Sequence, residues 1–90
     1  MKRRIKYSYC KVTGFLETNG EYIRDFQAEF PSLSNARTGA ADIIRQYPDI
    51  AMVEIACYQK DSTTEQSILT DKICSTVNRF GKLSNWENSA

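Results

Sequence analysis

The chain has 90 residues, 41% of them hydrophobic and 26% charged, and its 12 Lys and Arg against 11 Asp and Glu leave a net charge of +1. That length holds one hydrophobic core and leaves no room for a second, while the composition excludes wholesale disorder. The near-neutral balance excludes both an acidic nucleic-acid mimic and a bulk electrostatic binder of polyanions, though a local basic patch is compatible with it.

In chain order, the first signal is Asn19-Gly20 between two runs of alternating polarity. Asn-Gly suits a type I′ turn, whose two central residues both need positive φ, so the sequence predicts a β-hairpin. With Asn19 and Gly20 as the loop, Thr18 faces Glu21, Phe15 faces Arg24, Thr13 faces Phe26, Lys11 faces Ala28 and Tyr9 faces Phe30. Alternation along the strands then gathers Ile5, Tyr7, Tyr9, Phe15, Tyr22, Phe26, Ala28 and Phe30 on one aromatic face, the expected core. Cys10, Val12, Leu16 and Ile23 fall on the opposite face with Asp25, Gln27 and Glu29.

Pro31 ends the second strand, and Ser32 or Ser34 can cap a helix. Ala36, Ala40, Ile43, Ile44 and Tyr47 recur at the spacing of one helical face, and Pro48 stops the run. Gly39 and Ala40 are small enough to bring that helix close to a sheet. Residues 50–60, IAMVEIACYQK, read as a third strand with Ala51, Val53, Ile55 and Cys57 toward the helix and Met52, Ala56 and Tyr58 away from it. A right-handed crossover makes this strand parallel to the second, giving the order 2-1-3.

The fourth element has two readings. Ser62 to Glu65 matches a capping box, Gly81 matches a C-cap, and Leu69, Ile73, Thr76, Val77 and Phe80 form a helical stripe. The β-branched Ile68, Thr70, Ile73, Thr76 and Val77 favour a strand hairpinned to the third through residues 61–64. The balance falls to the helix. The expected fold is therefore a small two-layer α+β sandwich, an antiparallel or mixed sheet on a ββαβ core with a C-terminal helix, spanning residues 1–81 and followed by a polar, fraying tail at 82–90.

Three cysteines, Cys10, Cys57 and Cys74, are odd in number and widely spaced, which is not a disulfide framework and points to a reducing compartment. The basic opening MKRRIKYSYC has no apolar run of a signal peptide, and no stretch approaches the ~18 apolar residues of a membrane span. The expectation is a soluble, cytoplasmic protein without membrane association.

Catalytic chemistry finds little support. Without histidine the chain lacks the commonest general base and any mixed Cys/His zinc site, and its scattered cysteines cannot complete a four-thiolate site. The four glycines form no phosphate-binding loop. Asp25 and Glu29 share a strand face, but four residues of strand place them about 13 Å apart, beyond the ~9.5 Å of paired carboxylate catalysts. Cys10 and Cys57 sit mid-strand, where burial as small hydrophobes is the expected role. The reading is a non-enzyme with no cofactor and no metal.

Two surfaces remain. Val12, Leu16, Ile23, Met52, Ala56 and Tyr58 are expected together on the sheet face that no helix covers, rimmed by Asp25, Glu29 and Glu54, as a protein-binding patch. Val12, Leu16, Ile23, Met52 and Tyr58 are the candidate partner-binding residues. The alternative is a nucleic-acid-binding domain using the basic first strand, with Lys2, Arg3, Arg4, Lys6 and Lys11 as its contacts. The expected function is a non-catalytic protein-binding module, acting by self-association as a homodimer or on a protein partner. A solitary domain of this size suits a phage or mobile-element accessory protein or inhibitor.

Overall fold

The computed structural model describes residues 6–88. In chain order these form β1 (Lys6–Thr18), β2 (Glu21–Phe30), α1 (Leu33–Gln46), β3 (Met52–Asp61), β4 (Ser67–Thr76) and β5 (Glu87–Asn88). The strands make one antiparallel sheet in the order β2-β1-β3-β4-β5, and α1 lies on one of its faces. The architecture is α+β, and among the described residues no helix is long and apolar enough to cross a membrane.

The first turn forms as its dipeptide predicts. Asn19 and Gly20 both take positive φ, 54° and 82°, and Thr18 pairs with Glu21 and Phe15 with Arg24. Beyond Phe15 the register shifts by one, so that Gly14 faces Phe26, Val12 faces Ala28 and Cys10 faces Phe30. Asp25 is the additional residue of this β-bulge. The expected pairs Thr13–Phe26, Lys11–Ala28 and Tyr9–Phe30 are therefore displaced.

A one-residue shift moves side chains to the other face. Phe26 and Phe30 do pack on the core as expected, but the β1 residues beside them are Cys10, Val12 and Leu16. Val12 is completely buried, and Leu16 packs against the same cluster. Both were expected on the open face; they belong beneath the helix. Tyr7, Tyr9 and Phe15, expected in the core, point to the other side, and Tyr7 is 47% exposed. Tyr22, also expected inside, is exposed near the hairpin tip, and Ile5 lies outside the described residues.

The helix follows its sequence closely. Ser32 caps it, its hydroxyl accepting a hydrogen bond from the Asn35 N–H at 3.1 Å. Ala36, Gly39, Ala40, Ile43 and Ile44 are buried against the sheet. The Phe30 ring lies so close to Gly39 that a Cβ there would stand 2.2 Å from its Cζ, and the glycine thus sets how near the two layers come. Tyr47 leaves the stripe because the helix ends there; its half-exposed ring rests against Phe26, centroids 5.5 Å apart.

On β3, Val53, Ile55 and Cys57 face Gly14, Val12 and Cys10 in the core, as the alternation predicts. β3 runs antiparallel to β1 and so parallel to β2, which gives the predicted order for the first three strands.

The expected C-terminal helix is instead β4, paired along β3 from Thr76 to Ser67. Its β-branched residues fit the pleat, and Ile73 and Ser75 alternate into the core. The apparent capping box serves a turn: Asp61 Oδ1 accepts from Thr63 N–H at 2.9 Å and from its hydroxyl at 2.6 Å, while Glu65 takes φ 57° and closes back on the Asp61 carbonyl. Side chains that cap helices also nucleate turns. Gly81 ends no helix; at φ 73° it completes a three-residue hairpin loop between Asn78 and Lys82. Of the segment expected to fray, residues 82–88 return along β4, and 89–90 lie outside the described residues. Ser84 N–H donates to Thr76 O, buried Ser75 donates its hydroxyl to Ser84 O at 2.7 Å, and Leu83 and Trp86 pack on the core.

Gly20 is the residue on which the first hairpin turns. Nothing lies within 4 Å of a Cβ built there, so a side chain meets backbone strain and no steric clash. Gly20→Val is expected to cost ~1–3 kcal/mol, lowering the melting temperature by on the order of 10 °C. A melt superimposable on the parent's would contradict the positive-φ turn.

Candidate functional site

The face opposite α1 is built by β1, β3 and β4. Odd-numbered residues of β1 (Tyr7, Tyr9, Lys11, Thr13, Phe15) meet even-numbered residues of β3 (Met52, Glu54, Ala56, Tyr58, Lys60) across the antiparallel ladder. Tyr9 and Tyr58 are direct partners, and their rings stack at 5.4 Å between centroids and 21° between planes. Tyr7 adds a third ring 6.4 Å from Tyr9. The Tyr9 hydroxyl reaches over β3 to donate to Ser67 Oγ at 3.0 Å. Leu69, opposite Tyr58, extends the apolar surface onto β4 and is 46% exposed.

Charge of both signs surrounds these rings. Lys11 lies 3.9 Å from Glu29, its cross-strand partner, and 6.0 Å from the Tyr58 ring centroid, the outer limit of a cation–π contact. Lys72 lies 3.7 Å from Glu54. Tyr7, Tyr9, Glu29 and Lys60 outline a shallow hollow of about 190 Å³.

Of the expected partner-binding residues, the structure places Met52 and Tyr58 on this open face, Met52 beside Phe15 and Tyr58 beside Tyr9 six residues farther along β3. Val12 and Leu16 are on the helix side. Ile23 pairs with Leu16 beyond the bulge and is exposed near the hairpin tip, away from Met52 and Tyr58. Of the basic residues, Lys11 is on the open face and Lys6 opens β1 opposite Asp61; Lys2, Arg3 and Arg4 lie outside the described residues. Sequence reasoning missed Tyr7, Tyr9 and Phe15 as surface residues. The available signal was Lys11, which shares their face and suits an open surface better than a core.

The cysteines divide between the two sides. Cys10 and Cys57 are buried under the helix, 3% and 8% exposed, with their Sγ atoms 2.7 Å apart. Cys74 faces Glu54 on the other side. The Cys57 thiol is pushed from 9.0 up to about 12, first by burial, then by its hydrogen bond to Cys10 and the charges of Cys10 and Asp71, with Arg37 opposing. A thiol shifted this way holds its proton at neutral pH, the reverse of an activated nucleophile. Among the described residues no group of three or more His, Cys, Asp or Glu is placed to hold a metal ion.

No protein-family model, curated protein or solved structure matches this chain. The open face must therefore be interpreted from its own chemistry.

The raised Cys57 value has a measurable consequence. The unfolded chain releases this proton near pH 9, whereas the native protein keeps it to about 12. The resulting stabilisation is complete below pH 9 and fades as pH rises from 9 through 12. Under reductant, the stability of the parent relative to Cys57→Ala should be constant from pH 6 to 8 and should shrink above pH 9. Iodoacetamide should label Cys57 on the order of 100-fold faster in denaturant than in the folded state at pH 8. Equal labelling rates would place the thiol at the surface.

Proposed function

We propose that this chain is a non-catalytic module that binds a protein through the open face of its sheet. The observation that carries the reading is the Tyr9–Tyr58 stack on a helix-free face, extended onto β4 by Leu69, with a second apolar pair, Phe15 and Met52, farther along the same face. Binding energy concentrates in a few aromatic and long apolar anchors, and tyrosine combines a large ring with a hydroxyl that tolerates a wet rim. The Lys11–Glu29 and Lys72–Glu54 pairs set both signs of charge around the anchors. Such a rim complements another protein surface, a second copy of this chain included, better than it complements a polyanion.

One observation favours a second reading, single-stranded nucleic acid. Tyr7, Tyr9 and Tyr58 share the open face with Lys11 and Lys60, and aromatic rings beside lysines on a sheet are what base stacking and phosphate contact require. Glu29 and Glu54 on the same face oppose phosphate, which ranks this reading second.

Tyr58→Ala and Met52→Asp test the face. Both are expected to keep the circular dichroism of the parent and a melting temperature within roughly 10 °C of it. Self-association by light scattering, or capture of a host partner, should weaken on the order of 30-fold in Tyr58→Ala, the loss expected for an anchor worth ~2 kcal/mol. Unchanged association in both variants would reject the protein-binding reading. Binding of a thymidine oligonucleotide that weakens with salt and is lost in Tyr9→Ala would put the second reading in its place.

A further inference from the structure

Cys10 and Cys57 have no part in the open face, yet both are buried and their side chains meet. They are directly opposed partners on β1 and β3, and their Sγ atoms stand 2.7 Å apart. Carbon atoms in van der Waals contact keep ~3.5–4.0 Å, and a disulfide bond measures ~2.05 Å. Opposed residues of an antiparallel pair have Cα atoms ~4.5–5.5 Å apart, inside the ~4.4–6.8 Å that a disulfide spans. Both side chains project to the same face, so closing the bond asks for rotation of thiols and little backbone movement. Cys74 pairs with Glu54 on the opposite face and cannot compete for either. The odd number of cysteines thus resolves into one opposed pair and one separate thiol.

We propose that Cys10 and Cys57 form a redox-responsive pair, closed into a cross-strand disulfide by exchange with a low-molecular-weight disulfide of the oxidised-glutathione class. One protein thiolate attacks a sulfur of the glutathione disulfide, breaking its S–S bond and expelling one glutathione thiolate. The second protein thiolate attacks the protein-side sulfur of the mixed disulfide, forms the Cys10–Cys57 bond and expels the second glutathione. The two protons released by the protein thiols end on the two glutathione thiolates. The protein loses two electrons and the glutathione disulfide gains them.

Burial makes the exchange slow in the native state, because glutathione must reach a sulfur beneath the helix and Cys57 holds its proton tightly. Closure therefore proceeds during folding or through opening of the helix layer. Once closed, the bond ties β1 to β3 across 47 positions of sequence, on the rung next to the Tyr9–Tyr58 stack. It restricts the unfolded chain and holds the central rungs of the sheet together.

The test uses the parent protein and Cys74→Ser, each brought to equilibrium in glutathione buffers from two directions: from reduced native protein, and by refolding from denaturant under oxidised glutathione. Free thiols are then alkylated in denaturant, and the protein is digested and mapped by mass spectrometry. The expected result from both directions is a linked pair of peptides carrying Cys10 and Cys57, with Cys74 alkylated in the parent. Melting temperature should rise on the order of 10 °C and return on reduction. Free Cys10 and Cys57 from both directions would overturn the proposal, as would stable glutathione adducts or bonds between chains in place of the internal link. Refolding exposes both thiols, so burial cannot account for a negative result.

Discussion

The contact between Val12 on β1 and Ile55 on β3, both completely buried, sets the orientation of the rest of the sheet. Once these two side chains lie under the helix, alternation places Cys10 with Cys57 and Gly14 with Val53 on the same side, and sends Tyr9, Lys11, Tyr58 and Lys60 to the other. The helix answers with small residues where it must approach closely and with Ile43 and Ile44 where it fills space. Phe30 closes the layer from β2 by lying against Gly39. The open face is then a consequence of the core: its residues are those that the Val12–Ile55 contact excludes.

The sequence revealed the parts of this arrangement that rest on local chemistry. Asn19-Gly20 specified its turn, Ser32 its cap, and the Ala36-to-Ile44 stripe its helix. On β3, Val53, Ile55 and Cys57 alternate with Glu54 and polar-tipped Tyr58, so both faces could be assigned. β1 could not be read in the same way, because each of its faces offers a plausible core: three aromatic residues on one, and Cys10, Val12 and Leu16 on the other. The bulge at Asp25 decides between them, and its mark in the sequence is on the partner strand, where Gly14 interrupts β1 at the register shift. Placing Phe26, Ala28 and Phe30 inside was correct, and propagating that choice through an unbroken ladder reversed the face of β1. The face of the candidate site was half legible for the same reason: Met52 and Tyr58 lie on the open side as expected, and Val12 and Leu16 lie on the other.

The C-terminal third shows a different kind of ambiguity. Ser, Thr, Asp and Gly stabilise backbone groups at helix ends and at tight turns alike, so residues 61–65 and Gly81 carried signals for both. What separates a helix from a strand here is non-local. β4 gains the β3 ladder and places Ile73 beside Ile55, an advantage that no window of sequence around β4 displays. The buried Ser75 then recruits Ser84, and the polar segment that follows becomes part of the sheet's margin.

The two margins of the sheet differ in a way that bears on the proposed function. β2 forms one edge, and its charged Glu21, Arg24, Asp25 and Glu29, with the bulge, oppose pairing with another strand. On the other side β5 pairs with β4 only at Ile73 and Cys74, so among the described residues the stretch from Ser67 to Lys72 has no outer neighbour. That stretch carries Ile68 and Leu69, 64% and 46% exposed, and Leu69 faces Tyr58 at the heart of the open face. The apolar side chains of Tyr9, Tyr58 and Leu69 thus lie on successive strands and reach a backbone edge that has no partner among the described residues. A protein segment can use both at once, stacking on the rings while its main chain bonds to β4. A nucleic acid can use the rings alone, because its backbone offers phosphate and no ladder of donors and acceptors. The continuity of face and edge is therefore a physical reason, independent of the charge on the rim, to rank a protein partner first.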